Sequence, residues 1–508
     1  MRSGIWELSE FHTIIEKREK QMKILMISSE AVPFAKTGGL ADAVPALAAA
    51  LKSKGHDVRI LMPRYYKIDK NSLKKLPAPL GVPMGKEELW CAVYKTKFPG
   101  TRVPVYMLDR EDLFGRDGLY GPDGSSSWPD NAQRFALLSA SSFQLCRSLK
   151  WIPDILHIHD WQAAPAAIML EARERNPDFK RMASVITIHN LGYQGIFPQD
   201  QLGVLPQGLP RDRLLHDENI NFLAAGIDTA DEITTVSPTY AHEILQPEYS
   251  EGLGGILSYR KDRITGILNG MDYREWNPLK DPALKPDNYS FRRMAGKIKL
   301  KERLQKEMGI AVNPGIPLFG IITRLTGQKG VDLLMDPQGP GMESFRSGRA
   351  QLIMLGTGES RFEEAFKAIG RRFPQNCGIK IAFSGPLSRL IEAGSDFFLM
   401  PSRYEPCGLN QMYSLRYGTL PVVRRTGGLA DTVIDIDADG KNGNGFVFEN
   451  PTEYELSEAV NRAINFYNQK KPMASAVKRA MKLRFNWKSS GKEYLKVYKK
   501  ALSRRHSG

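Results

Sequence analysis

Two cationic side chains and one carboxylate follow apolar runs in the second half of the chain. Arg324 and Lys329 come after the run Leu318–Ile322, and Glu405 comes after the run Phe397–Met400. If both runs are parallel strands, these side chains lie on the sheet edge where ligands bind. Two cations can hold a diphosphate, and a carboxylate can stabilise an oxocarbenium-like centre. Surface cations and an acid at a helix start are the alternative interpretations.

The chain contains one seven-residue pattern twice. Residues 36–42 read K-T-G-G-L-A-D, and residues 425–431 read R-T-G-G-L-A-D. Glycines let the backbone turn sharply and approach a ligand, and the N–H groups at a helix start attract an anion. The repeat therefore predicts two anion-binding turns that face each other across a cleft. Two ordinary strand-to-helix turns are the alternative.

Polar side chains also end two apolar runs in the first half. His159 and Asp160 end the first run and His189 ends the second, so we expect all three at the reactive edge of a sheet. His157 lies within its run and is expected to pack in the core. Trp161 offers a flat face for a sugar ring, although a buried tryptophan is the commoner case. These groups do not show zinc-ligand spacing.

Two further patterns have weaker functional interpretations. Asp435, Asp437 and Asp439 alternate before a glycine-rich segment and could bind a divalent cation, but an acidic turn is favoured. Cys407 has no recognisable histidine base in the sequence, so nucleophilic catalysis by its thiol is not expected.

Length and composition narrow the class of protein. The 508 residues exceed one ordinary core and suit two domains, and 42% hydrophobic with 25% charged residues is typical of a folded protein. The formal charge is +15, but the basic residues are spread along the chain, so nucleic acid is not an expected partner. Without an apolar run of about 20 residues, no membrane association is expected. The 4 scattered cysteines favour a reducing cytoplasm.

Strand, loop and helix patterns alternate along the chain, which predicts parallel α/β units. The predicted strands are Ile24–Ile27, Val58–Leu61, Val103–Leu108, Ile155–His157, Val185–Ile188, Leu318–Ile322, Gln351–Leu355, Ile379–Phe383, Phe397–Met400 and Leu420–Val423. The predicted helices are Asp42–Ser53, Asn131–Leu149 and Leu409–Tyr417. A short crossing strand with glycine hinges is expected within residues 264–270, at a domain boundary.

Taken together, these motifs resemble the bacterial glycogen synthase and plant starch synthase family. The segments that carry the resemblance occur in family order from about Met22 to the region of Tyr494: K-T-G-G-L-A-D, H-I-H-D-W, I-H-N-L-G-Y-Q-G, T-V-S-P-T-Y, I-L-N-G-M-D, R-L-T-G-Q-K-G, P-S-R-Y-E-P-C-G-L and the second T-G-G-L-A-D. The resemblance implies a GT-B fold, in which two doubly wound α/β domains of the Rossmann type face each other across a cleft.

The resemblance also implies domain limits. We expect an N-terminal extension at residues 1–21 and an acceptor-side domain at residues 22–265. A C-terminal helix at about residues 486–508 is expected to rejoin that domain. The nucleotide-sugar side is expected at residues 266–485.

The implied activity is transfer of glucose from ADP-glucose to the non-reducing end of an α-1,4-glucan such as glycogen, with retention at the anomeric carbon. No metal and no cofactor is implied, and the leaving diphosphate itself takes the proton of the acceptor hydroxyl. An enzyme of the same architecture that uses UDP-glucose or another acceptor stays open. A catalytically silent glucan-binding protein is a further alternative, but Lys36, Arg324, Lys329 and Glu405 are all present.

The resemblance assigns roles to individual residues. The implied catalytic residues are Glu405, His189, Arg324 and Lys329. The implied substrate-binding residues are Lys36, Gly38, Gly39, Asp42, Asn269, Cys407, Gly408, Leu409, Thr426 and Gly427. The implied acceptor-binding residues are Tyr120, Asp160 and Trp161.

Three segments depart from the family pattern. Residues 335–341 place proline and glycine where a continuous helix is expected, and these residues are poor in helix interiors. Ser384-Gly385-Pro386 replaces a more polar stretch, and the loop around residues 203–217 is short. These departures could lower stability or alter adenine contacts and acceptor choice.

Overall fold

The structure is a computed structural model that describes residues 21–122, 126–174 and 177–507. The predicted N-terminal extension lies outside the described residues apart from Gln21. Two large sheets, each flanked by helices, organise the described residues.

The first sheet is built from the N-terminal half of the chain. The strands of this half are β1 (Lys23–Ile27), β2 (Asp57–Pro63), β3 (Lys74–Lys75), β4 (Leu80–Met84), β5 (Glu87–Lys97), β6 (Pro104–Asp109), β7 (Ile155–His159), β8 (Ala183–Ile188), β9 (Ile196–Phe197), β10 (Leu215–His216), β11 (Asn219–Asn221), β12 (Glu232–Thr235) and β13 (Ile264–Gly266). The sheet has the order β13-β12-β8-β7-β1-β2-β6-β5-β3, with β4 paired to β5. Its strands are parallel from β13 to β6, and β5 adds an antiparallel edge.

The second sheet is parallel throughout its described pairings. Its strands are β14 (Leu318–Ile322), β15 (Gln351–Gly356), β16 (Cys377–Ile381), β17 (Phe397–Met400), β18 (Leu420–Arg424) and β19 (Phe446–Phe448). They follow the order β16-β15-β14-β17-β18-β19. The order reverses at β14, so the carboxyl ends of β14 and β17 border the crevice where such sheets bind ligands.

Helices cover both sheets. They are α1 (Leu40–Ser53), α2 (Glu111–Phe114), α3 (Asn131–Ser148), α4 (Pro165–Met169), α5 (Arg211–Leu214), α6 (Phe222–Thr229), α7 (Pro238–Glu243), α8 (Gly254–Tyr259), α9 (Ala295–Glu307), α10 (Glu343–Arg346), α11 (Ser360–Arg372), α12 (Gly385–Gly394), α13 (Asn410–Tyr417), α14 (Gly427–Thr432), α15 (Glu453–Asn468), α16 (Lys470–Ala480) and α17 (Trp487–Ser507). Because helices cover both faces, central strands such as β7 and β8 are buried along their whole length.

Two doubly wound domains, as predicted, account for this arrangement. Each predicted strand is present, and β14 and β17 have the predicted bounds. The sequence analysis missed the antiparallel β3–β5 edge, where β3 is exposed, burial alternates along β4 and β5, and the apolar signal is weak. The crossing strand expected within residues 264–270 is shorter than predicted, because β13 ends at Gly266. It is a parallel edge strand of the first sheet, and the chain crosses to the second half only after it.

The last helix returns to the N-terminal half. Tyr494 and Tyr498 of α17 are buried in the same core as the first sheet, and Gly491 lies against Ala50 on α1. The domain limits at residues 265 and 485 stay predictions, which these two sheets and the return of α17 support. The interruption of the helix after the R-L-T-G-Q-K-G motif is confirmed: short 3-10 helices at Val331–Leu334 and Pro340–Met342 precede α10.

Candidate active site

Lys329 and Glu405 form an ion pair at the carboxyl edge of the second sheet. Lys329 Nζ lies 2.6 Å from Glu405 Oε2, and the Ser402 hydroxyl donates to the same oxygen at 3.0 Å. Gly330 has φ of 63°, and a Cβ there would lie 1.9 Å from the carbonyl oxygen of Pro401. Only glycine therefore allows the two loops to approach closely enough for this pair. Glu405 is 6% exposed, so its carboxylate is bound by Lys329 and Ser402 and has little contact with water.

Arg324 reaches across the cleft from the end of β14. Its guanidinium donates to the hydroxyl of Tyr193, which follows β8 in the first sheet, at 3.2 Å. Both side chains are exposed, and Tyr193 is 50% exposed. A second contact lies beside it, because the hydroxyl of Tyr404 approaches the backbone of Gly192. The cleft thus has a cationic wall on the second sheet and a polar wall on the first.

Asn269 and Cys407 are buried neighbours behind this edge. The backbone N–H of Asn269 donates to the thiol of Cys407. Among the described residues, the buried Asn269 Oδ1 has no hydrogen-bond partner. A buried unpaired acceptor is costly, so this oxygen marks a place where a ligand hydroxyl can bind. Burial raises the pKa of Cys407 to about 12, which keeps it a thiol and not a nucleophilic thiolate.

The segment after Cys407 leads into a helix start. Gly408 has φ of 68°, and α13 then begins at Asn410 with Leu409 at the N-cap. No side chain among the described residues caps this end, so its N–H groups can meet an anion. Leu409 Cδ1 would lie 3.8 Å from a Cβ on Gly39, which brings the first glycine turn to this helix start.

The first glycine turn is held from below by a buried acid. Glu30 accepts hydrogen bonds from the N–H of Thr37 at 2.5 Å, the hydroxyl of Thr37 at 2.6 Å and the N–H of Gly38 at 3.3 Å. Lys36 pairs with Asp42 at 2.7 Å and its side chain is 48% exposed. Gly38 and the next residue are exposed, so the turn is open to a ligand. The sequence analysis missed Glu30, whose only signal is its position just after β1.

Tyr120 and Trp161 lie beside this turn. The Tyr120 hydroxyl donates to Glu30 at 2.5 Å and lies 2.8 Å from the Ser29 hydroxyl. Trp161 is 9% exposed and packs edge-on against Phe135 with ring centroids 4.9 Å apart. Its ring is therefore chiefly a core element, and Tyr120 is the more accessible of the two aromatic candidates.

Asp160 and His189 are joined through the backbone. Asp160 has φ of 57° and its Oδ1 accepts the His189 N–H at 2.6 Å. Burial raises the pKa of Asp160 to about 7. His189 Nε2 lies 3.1 Å from His159 Nδ1, and burial lowers the pKa of His189 to about 3. His189 is therefore neutral at physiological pH and can serve as a hydrogen-bonding group.

The second glycine turn is packed and engaged. The Thr426 hydroxyl and the Gly427 N–H both donate to Glu243 at 2.9 Å, and Thr426 and Gly427 are buried. Direct phosphate contact by Thr426 and Gly427 would require displacement of Glu243. Asp431, at the end of the same pattern, accepts from Thr239 in the first half. Glu243 is a further residue that the sequence analysis missed.

An exposed aromatic ring stands at the same edge of the second sheet. Phe383 follows β16 and is 93% exposed. An aromatic ring that stays in water at a ligand-binding edge is a stacking surface for another flat group. The sequence analysis placed Phe383 inside a strand, whereas β16 ends at Ile381 and leaves the ring exposed.

The acidic series after α14 forms ion pairs. Asp435 and Asp437 pair with Arg462 at 3.1 Å and 2.7 Å, and Asp439 accepts backbone N–H groups of its own turn. Within the described ranges, no group of three or more potential ligands is arranged to hold a metal ion. The helices in the described part of the chain include none long and apolar enough to cross a membrane.

Comparison with known proteins gives the family. The family described as starch synthase catalytic domain matches residues 23–259, and glycosyl transferases group 1 matches residues 305–480. The chain is 45% identical to the glycogen synthase of Treponema denticola over 96% of this chain and 100% of the relative. It is 42% identical to glycogen synthase 2 of Geobacter metallireducens over 95% and 100%. The chain belongs to the glycogen synthase family.

One solved structure agrees with this family, and a second shares its fold. The catalytic domain of starch synthase IV from Arabidopsis thaliana, bound to ADP and acarbose, has a TM-score of 0.86 and 31% identity over 95% of this chain and 100% of that chain. Sucrose-phosphate synthase from Thermosynechococcus elongatus has a TM-score of 0.59 at 15% identity over the same shares, a likeness of fold alone. The protein is a glycosyltransferase with the GT-B fold, as the sequence predicted.

Proposed function

We propose that this glycogen synthase family member transfers glucose from ADP-glucose to the non-reducing end of an α-1,4-glucan, with retention of configuration. The observation that carries the proposal is that the Lys329–Glu405 ion pair lies just before the uncapped start of α13, whose N-cap Leu409 lies beside Gly39 of the exposed first glycine turn. A diphosphate between Arg324, Lys329 and that helix start would have both charge and N–H donors around it.

The donor base has a separate support. Phe383 presents an exposed ring at the same sheet edge, where a purine can stack. ADP in the starch synthase IV structure supports the same nucleotide here. We infer that Lys36, on the facing loop, approaches the donor when the cleft closes on it.

The sugar lies between the two edges in this proposal. Asn269 Oδ1 accepts a hydrogen bond from one glucose hydroxyl, and neutral His189 forms a hydrogen bond with another. Glu405 stabilises the positive charge that develops at the anomeric carbon. The bond from the anomeric carbon to the diphosphate breaks, and the glucan hydroxyl forms the new bond on the same face. Its proton passes to the leaving diphosphate. Tyr120 and Asp160 border the side where the glucan enters.

A donor comparison tests the proposal. Purified full-length chain is incubated with glycogen and radiolabelled ADP-glucose or UDP-glucose, and kcat/KM is measured for each. We expect ADP-glucose to be preferred by at least about tenfold, which is about 1.4 kcal/mol. Faster turnover of UDP-glucose would overturn the donor assignment. Glycogen binding without release of ADP would instead favour the silent glucan-binding alternative.

The stereochemistry needs its own measurement. The linkage added to a short maltooligosaccharide is read by the anomeric proton coupling in an NMR spectrum. We expect only new α linkages, because in the proposed transfer the glucan hydroxyl attacks the anomeric carbon on the same face that the diphosphate leaves. Any β linkage would contradict retention.

A further inference from the structure

A line of buried polar groups connects the C-terminal helix to the proposed glucose site. The Tyr498 hydroxyl on α17 lies 2.8 Å from His157 Nδ1, and His157 Nε2 lies 2.7 Å from the Thr187 hydroxyl. The ring centroids of His157 and His159 lie 4.0 Å apart, and the two rings are tilted by 42° relative to each other. His159 Nδ1 then lies 3.1 Å from His189 Nε2. The line therefore ends on the histidine that we place against glucose.

Strand geometry explains the line. His157 and His159 are two residues apart on β7, so their side chains lie on one face of the sheet. His159 is paired with Thr187 on β8, and His189 follows that strand at its carboxyl end. The face covered by α17 thus leads directly to the ligand-binding edge.

The two nitrogens of His159 differ in their surroundings. Nδ1 faces His189, whereas Nε2 is buried and has no hydrogen-bond partner among the described residues. His159 itself is 1% exposed, and burial lowers its pKa well below the usual range, so the ring is neutral. A neutral imidazole carries one proton, on either Nδ1 or Nε2.

The position of that proton follows from the free-energy cost of leaving the buried Nε2 of His159 without a hydrogen-bond partner. A buried N–H without an acceptor is rarer and costlier than a buried lone pair without a donor. His159 therefore carries its proton on Nδ1 and leaves a lone pair on Nε2. That proton is donated to His189 Nε2, so the single proton of neutral His189 must lie on its Nδ1.

We propose that His159 is a positioning residue that fixes the tautomer of His189, so that His189 presents Nδ1–H as a hydrogen-bond donor to a hydroxyl oxygen of the transferred glucose. The contact to glucose rests on the proposed function, whereas the tautomer does not. Tyr498 and Thr187 hydrogen-bond to the two nitrogens of His157 and so fix the orientation of its ring. The fixed His157 ring in turn restricts the neighbouring His159 ring, although His157 itself does not contact the proposed glucose site.

Nitrogen chemical shifts test the tautomer without any substrate. Full-length protein labelled with ¹⁵N-histidine is examined by long-range ¹H–¹⁵N correlation, in which Nδ1–H and Nε2–H tautomers give different patterns. The sequence has 8 histidines, so their signals are assigned with variants. The signals that disappear in His189→Gln belong to His189, and those that disappear in His216→Gln belong to His216. We expect the Nδ1–H pattern for His189. An Nε2–H pattern would overturn the inference.

Two variants at residue 159 test the coupling. His159→Asn can keep an N–H donor near the position of Nδ1, whereas His159→Leu removes it. We expect His159→Leu to lower kcat about tenfold with less than about twofold change in the KM for glycogen, and His159→Asn to recover most of that loss. His216→Gln is the matched control for the loss of a histidine, because His216 lies on β10 and has no part in the proposed site.

The outcomes separate the inference from the proposed function. Equal losses in His159→Leu and His159→Asn would overturn the positioning role, because only the first removes the donor. If His159→Leu does not fold, the spectrum of the unaltered protein still decides the tautomer. An Nδ1–H pattern in a protein that does not turn over ADP-glucose would instead contradict the proposed donor and leave the tautomer in place.

Discussion

The two T-G-G-L-A-D turns have one sequence and two different structures. In the first, Gly38 is exposed and a Cβ built there would meet nothing within 4 Å. In the second, Gly427 has φ of 42°, and a Cβ would lie 2.0 Å from the carbonyl oxygen of Glu405. A Cβ on Gly428 would lie 2.0 Å from the carbonyl oxygen of Cys407. The same glycines thus leave room for a ligand in one turn and for protein backbone in the other.

Each turn also has its own acid. Glu30 accepts from the first turn within the N-terminal half, but Glu243 accepts from the second turn across the cleft. The terminal aspartates differ in the same way, since Asp42 pairs with Lys36 of its own turn, whereas Asp431 bonds to Thr239 of the other half. The first turn is therefore exposed and held within its own half, whereas the second turn supports the Glu405 segment and makes a contact between the two halves.

The largest effect is expected on the carboxylate that the second turn supports. Glu405→Ala should lower kcat by about a thousandfold, because it removes a charge aimed at the reacting centre, while glycogen binding changes little. Steady-state turnover and a glycogen co-sedimentation assay measure the two quantities. Equal losses in both would count against the assigned role of Glu405.

The glycines themselves give a matched pair. Gly427→Ala forces a Cβ into backbone at positive φ, so we expect the thermal midpoint to fall by more than about 5 °C, together with activity. Gly38→Ala meets open space and should leave the thermal midpoint unchanged within about 1 °C. Calorimetry of both variants measures the difference. Similar midpoints would remove the structural contrast between the turns.

The leading cations of the two turns form a second pair. Lys36→Ala should raise the KM for the donor about tenfold, because the proposed function brings this half-exposed amine, which pairs with Asp42 in the structure, to the donor diphosphate. Arg425 pairs with Glu449 on the surface, so Arg425→Ala should change that KM less than about twofold. Titration of the donor at saturating glycogen measures this KM for both variants. A larger increase in Arg425→Ala than in Lys36→Ala would contradict the assignment of the first turn to the donor.

The smallest effect concerns the acid of the second turn. Burial raises the pKa of Glu243 above its usual value of 4.5, so the folded chain holds this proton more strongly than the unfolded chain does. Its contribution to stability therefore falls as pH rises above 4.5, until the folded-state pKa is passed.

Glu243→Gln keeps an acceptor oxygen and removes that titration. We expect its thermal midpoint to exceed that of the unaltered protein by up to about 2 °C at pH near 8, and by less near pH 5. Calorimetry at both pH values measures the difference. A variant that loses stability relative to the unaltered protein as pH rises would contradict the sign.

Much of this structure follows from local sequence. The predicted strands are present because apolar runs bounded by turn residues admit few other conformations in an α/β protein. The positions of Arg324, Lys329 and Glu405 at one edge follow from the parallel sheet, since the carboxyl ends of parallel strands meet there. The antiparallel edge at β3–β5 was missed because half-exposed strands have a mixed pattern.

The partners of the site residues were not predictable in this way. Glu243 lies 184 residues from Gly427, and Tyr193 lies 131 residues from Arg324. No spacing rule connects such pairs, because they meet only when two separately formed sheets pack against each other. Residue type favoured a buried Trp161, but only its edge-on packing against Phe135 decided that it is less accessible than Tyr120.

Sequence alone determined the family, the two α/β domains and the identity of the charged residues at the second sheet's edge, because motif order and apolar periodicity are local and specific. Tertiary structure alone decided which glycine turn is exposed, which acid accepts from the N–H groups of each turn and which nitrogen of His189 faces His159. The reason is physical: exposure and hydrogen-bond partners depend on what packs against a segment, and identical segments acquired different neighbours.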